Sequence, residues 1–98
     1  MAKTQTKTVT KTKVDFPSRY KVVIHNDDVT PMEFVIQLLI EVFNKNIEQA
    51  KDVTLCIHNE GKAEAGLYTF EIAEQKVKEC GVICSYHGHP LHVTMEKI

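Results

Sequence analysis

Three groups of residues in this chain carry side chains that could do chemistry. The first is Asn26-Asp27-Asp28, an amide and two carboxylates just ahead of Thr30-Pro31-Met32-Glu33. Asn and Asp serve ordinary turns and caps. At a strand-to-helix junction the same groups can accept hydrogen bonds from a cation such as a substrate ammonium. A hard metal such as Mg²⁺ would need more oxygen ligands than this pair supplies. The second is His58. As neutral imidazole it has one acceptor nitrogen, which suits an ammonium donor; it also reads as a surface or half-buried helix histidine. The third is Cys80-x3-Cys84-x2-His87-x-His89, with His92 following. Zinc sites usually pair a tight CxxC knuckle with two more ligands elsewhere. Cys80 and Cys84 instead fall at i, i+4 on an apolar stripe, where small buried cysteines belong. Cys56 lies two residues before His58, and such neighbours do not face each other on a helix, so they form no dyad. No Gly-rich phosphate loop or serine nucleophile motif is present. The residues offer binding chemistry and little that makes or breaks bonds, so neither an enzyme nor a cofactor is expected.

The elements that must position these residues can be read from pattern. Tyr20–His25 is β-branched and ends at Asn26, which predicts a strand and a turn. Thr30 reads as a helix N-cap, with Pro31 filling the first helical position and Glu33 completing a capping box. Phe34, Val35, Leu38, Leu39, Val42 and Phe43 give that helix a wide apolar stripe. Asn46 with Gln49 predicts a second cap. Ile47, Ala50, Val53, Thr54, Ile57 and His58 then share one face of a helix closed by Gly61. Residues 62–70 read as a strand and residues 71–86 as a third helix, with Ala73, Val77, Cys80, Gly81 and Cys84 on its buried stripe. Leu91–Glu96 alternates strictly, which makes a last strand. The order is β-α-α-β-α-β. The economical packing is an α+β sandwich, a small antiparallel three-stranded sheet covered on one face by three helices.

Ninety-eight residues suit a single domain. No stretch of about 18 uncharged apolar residues exists, so no membrane span is expected. The first residues have no apolar segment behind them, which argues against a secretory signal. Three cysteines without such a signal suggest reduced thiols. The net charge of −1 gives no pull toward nucleic acid or an anionic membrane. That total is uneven. Of 12 basic and 13 acidic side chains, four lysines and Asp15 lie in residues 1–17, leaving 8 basic and 12 acidic in residues 18–98. Residues 3–13 are biased toward Lys and Thr with one aliphatic residue. Residues 1–17 are therefore expected to be a disordered N-terminal extension, and residues 18–98 one folded domain.

The run Tyr20-Lys21-Val22-Val23-Ile24-His25-Asn26-Asp27-Asp28-Val29-Thr30-Pro31-Met32-Glu33-Phe34-Val35 closely resembles the signature of the ClpS family, the adaptors that deliver N-degron substrates to the Clp AAA+ protease. Further matches keep their order: Ala50-Lys51, Ile57-His58-x-x-Gly61-Lys62-Ala63, Gly66-Leu67-Tyr68-Thr69-x-Glu71-x-Ala73-Glu74-x-Lys76-Val77, His89-Pro90-Leu91 and Glu96-Lys97. The resemblance covers about residues 18–98.

The resemblance implies a ligand, the first residue of a substrate protein when it is Leu, Phe, Tyr or Trp. Asn26 and His58 would hydrogen-bond its α-amino group, with Asp27 supplying negative charge. Thr30, Met32, Val35, Ile57 and Leu91 would line the side-chain pocket, with the Asp28 backbone at its rim and Met32 as gatekeeper against β-branched residues. Thr54 stands where the family usually has Met, which implies a more polar pocket edge and an altered ranking of ligands. Glu71 and Lys76 match positions that contact the unfoldase N-terminal domain, of ClpA or ClpC type, and the N-terminal extension would be an arm for handover. A monomer in bacterial cytoplasm or plastid stroma is expected. The competing reading is a small α/β interaction module without N-terminal specificity, like the C-terminal domain of the ribosomal stalk protein.

Overall fold

The computed structural model of the chain describes residues 19–98. The expectations for residues 1–17 lie outside the described residues. Six elements follow in the order β1 (Arg19–His25), α1 (Met32–Phe43), α2 (Ile47–Glu60), β2 (Lys62–Thr69), α3 (Phe70–Tyr86) and β3 (His92–Lys97). β1 is central and pairs antiparallel with both neighbours, giving the sheet order β2-β1-β3. This is the α+β sandwich that the pattern predicts. β1 takes the middle because its apolar, β-branched run suits a strand paired along both edges: Val22, Val23 and Ile24 are all buried.

Val22 and Ile24 face the helices and join one core with Val35, Leu38, Leu39 and Val42 of α1, Ala50 and Ile57 of α2, and Ala73, Cys80 and Cys84 of α3. Burying each large aliphatic side chain contributes roughly 1.5–3 kcal/mol. Leu91, Val93 and Met95 pack partly against the same core. The opposite face of the sheet is polar. Lys21 and Glu96 pair there at 3.6 Å, and His25 meets Thr94. Among the described residues no helix is long and apolar enough to cross a membrane.

Two local readings need correction. Thr30 is not the cap of α1. Pro31 holds that position, and its carbonyl accepts from the Phe34 and Val35 N–H groups at 3.1 and 3.3 Å. Thr30 is instead turned back to Asp27, whose carboxylate outcompetes Glu33 for it. Gly81 is not on the buried stripe; it faces solvent, with nothing near where a Cβ would stand. On α2 only Ala50, Thr54 and Ile57 are buried, while Ile47 and His58 are exposed. The Asn46 cap is as expected, with its side chain accepting from the Gln49 N–H at 2.8 Å and the Gln49 side chain accepting from the Asn46 N–H at 3.1 Å.

One feature has no counterpart in the sequence reading. Val22 pairs with Gly66 and Val23 with Glu64, so Ala65 is an extra residue in β2. This bulge shifts the alternation, letting Ala63, Ala65 and Tyr68 all reach the core side. Beside it, a residue larger than Gly66 would force the Tyr68 side chain to move. A Cβ there would stand 2.7 Å from the Tyr68 ring, which folds back over the strand.

Candidate functional site

A cavity of about 160 Å³ opens where β1, α1, α2 and the chain before β3 converge. Asn26, Asp27 and Asp28 reach it from the turn after β1, Thr30 and Met32 from the start of α1, and Leu91 from the entry to β3. Val35 on α1 and Thr54, Ile57 and His58 on α2 complete its wall. All ten residues expected around a ligand therefore meet at one site. Val35, Thr54 and Ile57 are buried and Leu91 is half-buried, whereas Asn26, Asp28 and His58 are exposed. The interior is thus apolar and the rim polar. Met32, 39% exposed, stands between the two.

The alignment of the rim has a local cause. The Asn26 N–H donates to the Gly61 carbonyl at 2.8 Å, which fastens the turn after β1 to the end of α2. Gly61 can present that carbonyl because it adopts φ 92°, a left-handed conformation that suits glycine. His58 lies one turn earlier on α2, so it is carried to the Asn26 side of the cavity. The last carbonyls of a helix also carry partial negative charge, which favours a cation at this rim.

Asp27 is the best-supported charge of the site. The Thr30 hydroxyl donates to its Oδ2 in a short contact, and the Thr30 N–H donates to the same oxygen at 3.0 Å. The Thr30 hydroxyl above all, helped by the Val29 and Thr30 N–H groups and the nearby His89, holds the carboxyl below its ordinary range against an opposing desolvation. Asp27 therefore stays ionised. The sequence reading placed His89 with the Cys80, Cys84 and His87 group and in the His89-Pro90-Leu91 block, but not beside Asp27. His89 is held against Phe34, with ring centroids 4.4 Å apart.

Thr54 does not make the polar pocket edge that its type suggests. It is 3% exposed, and its hydroxyl donates to the Ala50 carbonyl at 2.7 Å within α2. With the oxygen engaged, the residue can offer the cavity its methyl group.

The two residues expected to dock a partner lie elsewhere and apart. Glu71 is exposed in the first turn of α3. Lys76 follows five residues later, about 140° further round the helix. It is half-buried, and its Nζ donates to the Val42 carbonyl at 2.6 Å while lying 5.9 Å over the Tyr68 ring. The Cys80, Cys84 and His87 group does not assemble. Both cysteines are in the core and His87 is exposed, and no cluster of three or more metal-ligating side chains occurs among the described residues. Burial, with Cys84 and Glu79 nearby, pushes the Cys80 thiol up to about 12, so it is a poor thiolate ligand or nucleophile.

Such a site, an apolar cavity with a polar rim and no assembled catalytic or metal-ligating group among the described residues, has the character of a binding site. Comparison with known proteins gives the family. The family described as ATP-dependent Clp protease adaptor protein ClpS matches residues 15–94. An adapter protein ClpS from Vibrio atlanticus is 49% identical over 88 residues, covering 90% of this chain and 83% of that one. One from Desulforapulum autotrophicum is 46% identical over 95 residues, covering 97% and 91%. The structure of Agrobacterium tumefaciens ClpS2 bound to L-phenylalaninamide matches with a TM-score of 0.82 at 36% identity, covering 85% of this chain and all of that one. The chain belongs to the ClpS family of Clp protease adaptors, whose members are named as adaptors and not as enzymes.

Proposed function

We propose that the chain recognises proteins beginning with Leu, Phe, Tyr or Trp and delivers them to a ClpA- or ClpC-type unfoldase for degradation by ClpP. The observation that carries this reading is the apolar cavity with an amide, two carboxylates and an imidazole at its rim. A free N-terminus is a cation with directional N–H donors. Asn26 and His58 accept from it and Asp27 supplies the counter-charge, while the side chain enters between Met32, Val35, Thr54, Ile57 and Leu91. Charge-assisted hydrogen bonds are worth about 1.5–3 kcal/mol each, and burial of a Phe or Leu side chain a similar amount. Neither suffices alone, so the site reads a free amine and a bulky side chain together. The ligand of the Agrobacterium relative, L-phenylalaninamide, combines those two groups and supports the reading.

The cavity volume sharpens the preference. A dry apolar cavity of about 150 Å³ takes up benzene. The present one, about 160 Å³ with its polar rim included, has room for a phenyl ring or a leucine side chain. Thr54 donates its hydroxyl hydrogen bond to the Ala50 carbonyl and can meet a ligand only with its methyl group or as an acceptor. On this fit Phe and Leu are expected to rank first. A titration with a Phe-initiated peptide, its N-acetylated form and a Met-initiated control tests the function. The first binds much more tightly than the others; equal binding of all three, or none, points instead to an interaction module without N-terminal specificity. Leu, Tyr and Trp peptides complete the ranking.

Delivery rests on the family and on composition. Glu71 contributes to the unfoldase contact, and residues 1–15 serve as an arm that the AAA+ ring engages. A chain lacking residues 1–15 binds peptide as before and fails to deliver it in a reconstituted degradation assay; undiminished degradation rules the arm out. The chain acts as a monomer, in the cytoplasm if its source is bacterial like its matched relatives and in the stroma if it is plastid.

A further inference from the structure

The polar face of the sheet, away from the cavity, holds a histidine pair that the adaptor function does not use. His25 and His92 are direct cross-strand partners on β1 and β3. Their ring centroids are 5.3 Å apart and their planes are tilted by 46°. The Nε2 of His25 lies 2.9 Å from the Thr94 hydroxyl oxygen. The contact holds the ring in place, and in the tautomer protonated at Nε2, which donates to Thr94, Nδ1 keeps its lone pair. Metal-binding histidines commonly have this support, one nitrogen fixed by a hydrogen bond and the other left for the ion. His92 is exposed and can turn to meet it.

The other histidine and cysteine groups lack these properties. His87 and His89 lie 6.3 Å apart with planes inclined by only 13°, so their faces oppose each other, and Phe34 is packed against both. Cys80 and Cys84 are buried in the core. The geometry points to His25 and His92 as a two-imidazole site for a late first-row divalent ion, Zn²⁺ or Cu²⁺, with water completing the coordination. Imidazole suits these ions, whereas Mg²⁺ and Ca²⁺ require oxygen ligands. Lys62 flanks His25 on the other side in the register, and its exposed, flexible side chain can carry its charge away into solvent. A bound ion ties the end of β1 to the start of β3. Those ends immediately precede Asn26 and follow Leu91, so the ion braces two residues of the cavity from behind.

The test is calorimetric titration of Zn²⁺, and separately Cu²⁺, into the full chain carrying Cys56→Ser, which removes the exposed thiol. One saturable equivalent is expected, tighter for Cu²⁺. His92→Ala lowers the affinity at least tenfold, Thr94→Val lowers it less, and His89→Gln leaves it unchanged. Because His92 is exposed, its variant keeps the fold, which circular dichroism and binding of the Phe-initiated peptide verify. Absence of saturable binding, binding that survives His92→Ala, or equal loss in His89→Gln each overturns the assignment.

Discussion

The two ends of α1 treat polar groups in opposite ways. At its N-terminal end, Asn26, Asp28 and His58 border the cavity, and no side-chain hydrogen bond to another described residue engages them. At its C-terminal end, the Lys76 ammonium is committed to the Val42 carbonyl and lies over Tyr68. One end leaves hydrogen-bonding capacity open toward solvent, which is what a ligand needs. The other satisfies a helix-end carbonyl and so serves the fold. A charge that a family resemblance assigns to docking is here engaged within the fold, and Glu71 is the exposed member of that pair.

This contrast can be broken or sharpened by substitution. Asn26→Ala should weaken binding of a Phe-initiated peptide by about 10- to 100-fold, the loss of one charge-assisted hydrogen bond, while leaving the melting temperature unchanged. Fluorescence anisotropy and thermal melts read the two quantities, and a large fall in melting temperature would erase the distinction between the ends. Met32→Ala should admit Ile- and Val-initiated peptides, with a gain of about tenfold, because the thioether no longer crowds the branched carbon. Unchanged selectivity would remove Met32 as gatekeeper. At the opposite end, Lys76→Met should cost about 1 kcal/mol, or roughly 4–8 °C in Tm, with peptide affinity unaltered. If stability holds and only delivery fails, Lys76 is a docking residue after all.

The smallest effect concerns Asp27. Its pKa in the folded chain is depressed, so its contribution to stability is present above the ordinary value of 3.8 and is lost as pH falls through the lower folded value. Carbon-detected NMR titration should show Asp27 ionised throughout pH 5–7. Thr30→Val should raise its midpoint toward 3.8, since the hydroxyl is the largest stabiliser of the charge. A midpoint indifferent to Thr30→Val would mean that the contact does not persist in solution.

Much of the fold was legible because its signals are local. The Asn46 and Gln49 cap lies within one turn, and the alternation of Leu91–Glu96 declares a strand. The errors arise where distant or competing groups decide. Thr30 and Glu33 make a capping-box pattern, but Asp27 takes both the Thr30 hydroxyl and N–H. The Lys76 contact with Val42 spans 34 residues and leaves no periodic trace. Thr54 looked polar because residue type says nothing of where a hydroxyl is spent. At the cavity, the types of Asn26, Asp27, Asp28 and His58 allowed a cation site but equally an ordinary turn and a surface histidine. Met32, Val35, Ile57 and Leu91 read only as core or surface apolar residues until the family signature grouped them.

The bulge at Ala65 bears on what the chain must avoid. β2 is an edge of the sheet, where unpaired backbone groups invite any extended polypeptide to add a further strand. An adaptor that handles loose chain ends meets such polypeptides constantly. The irregular pairing at Ala65, with charged Lys62 and Glu64 projecting beside it, makes that edge a poor template for strand addition. Under the proposed function, a client held only by its first residue, and not zipped along the edge, is released to the unfoldase without unpicking a ladder of backbone hydrogen bonds.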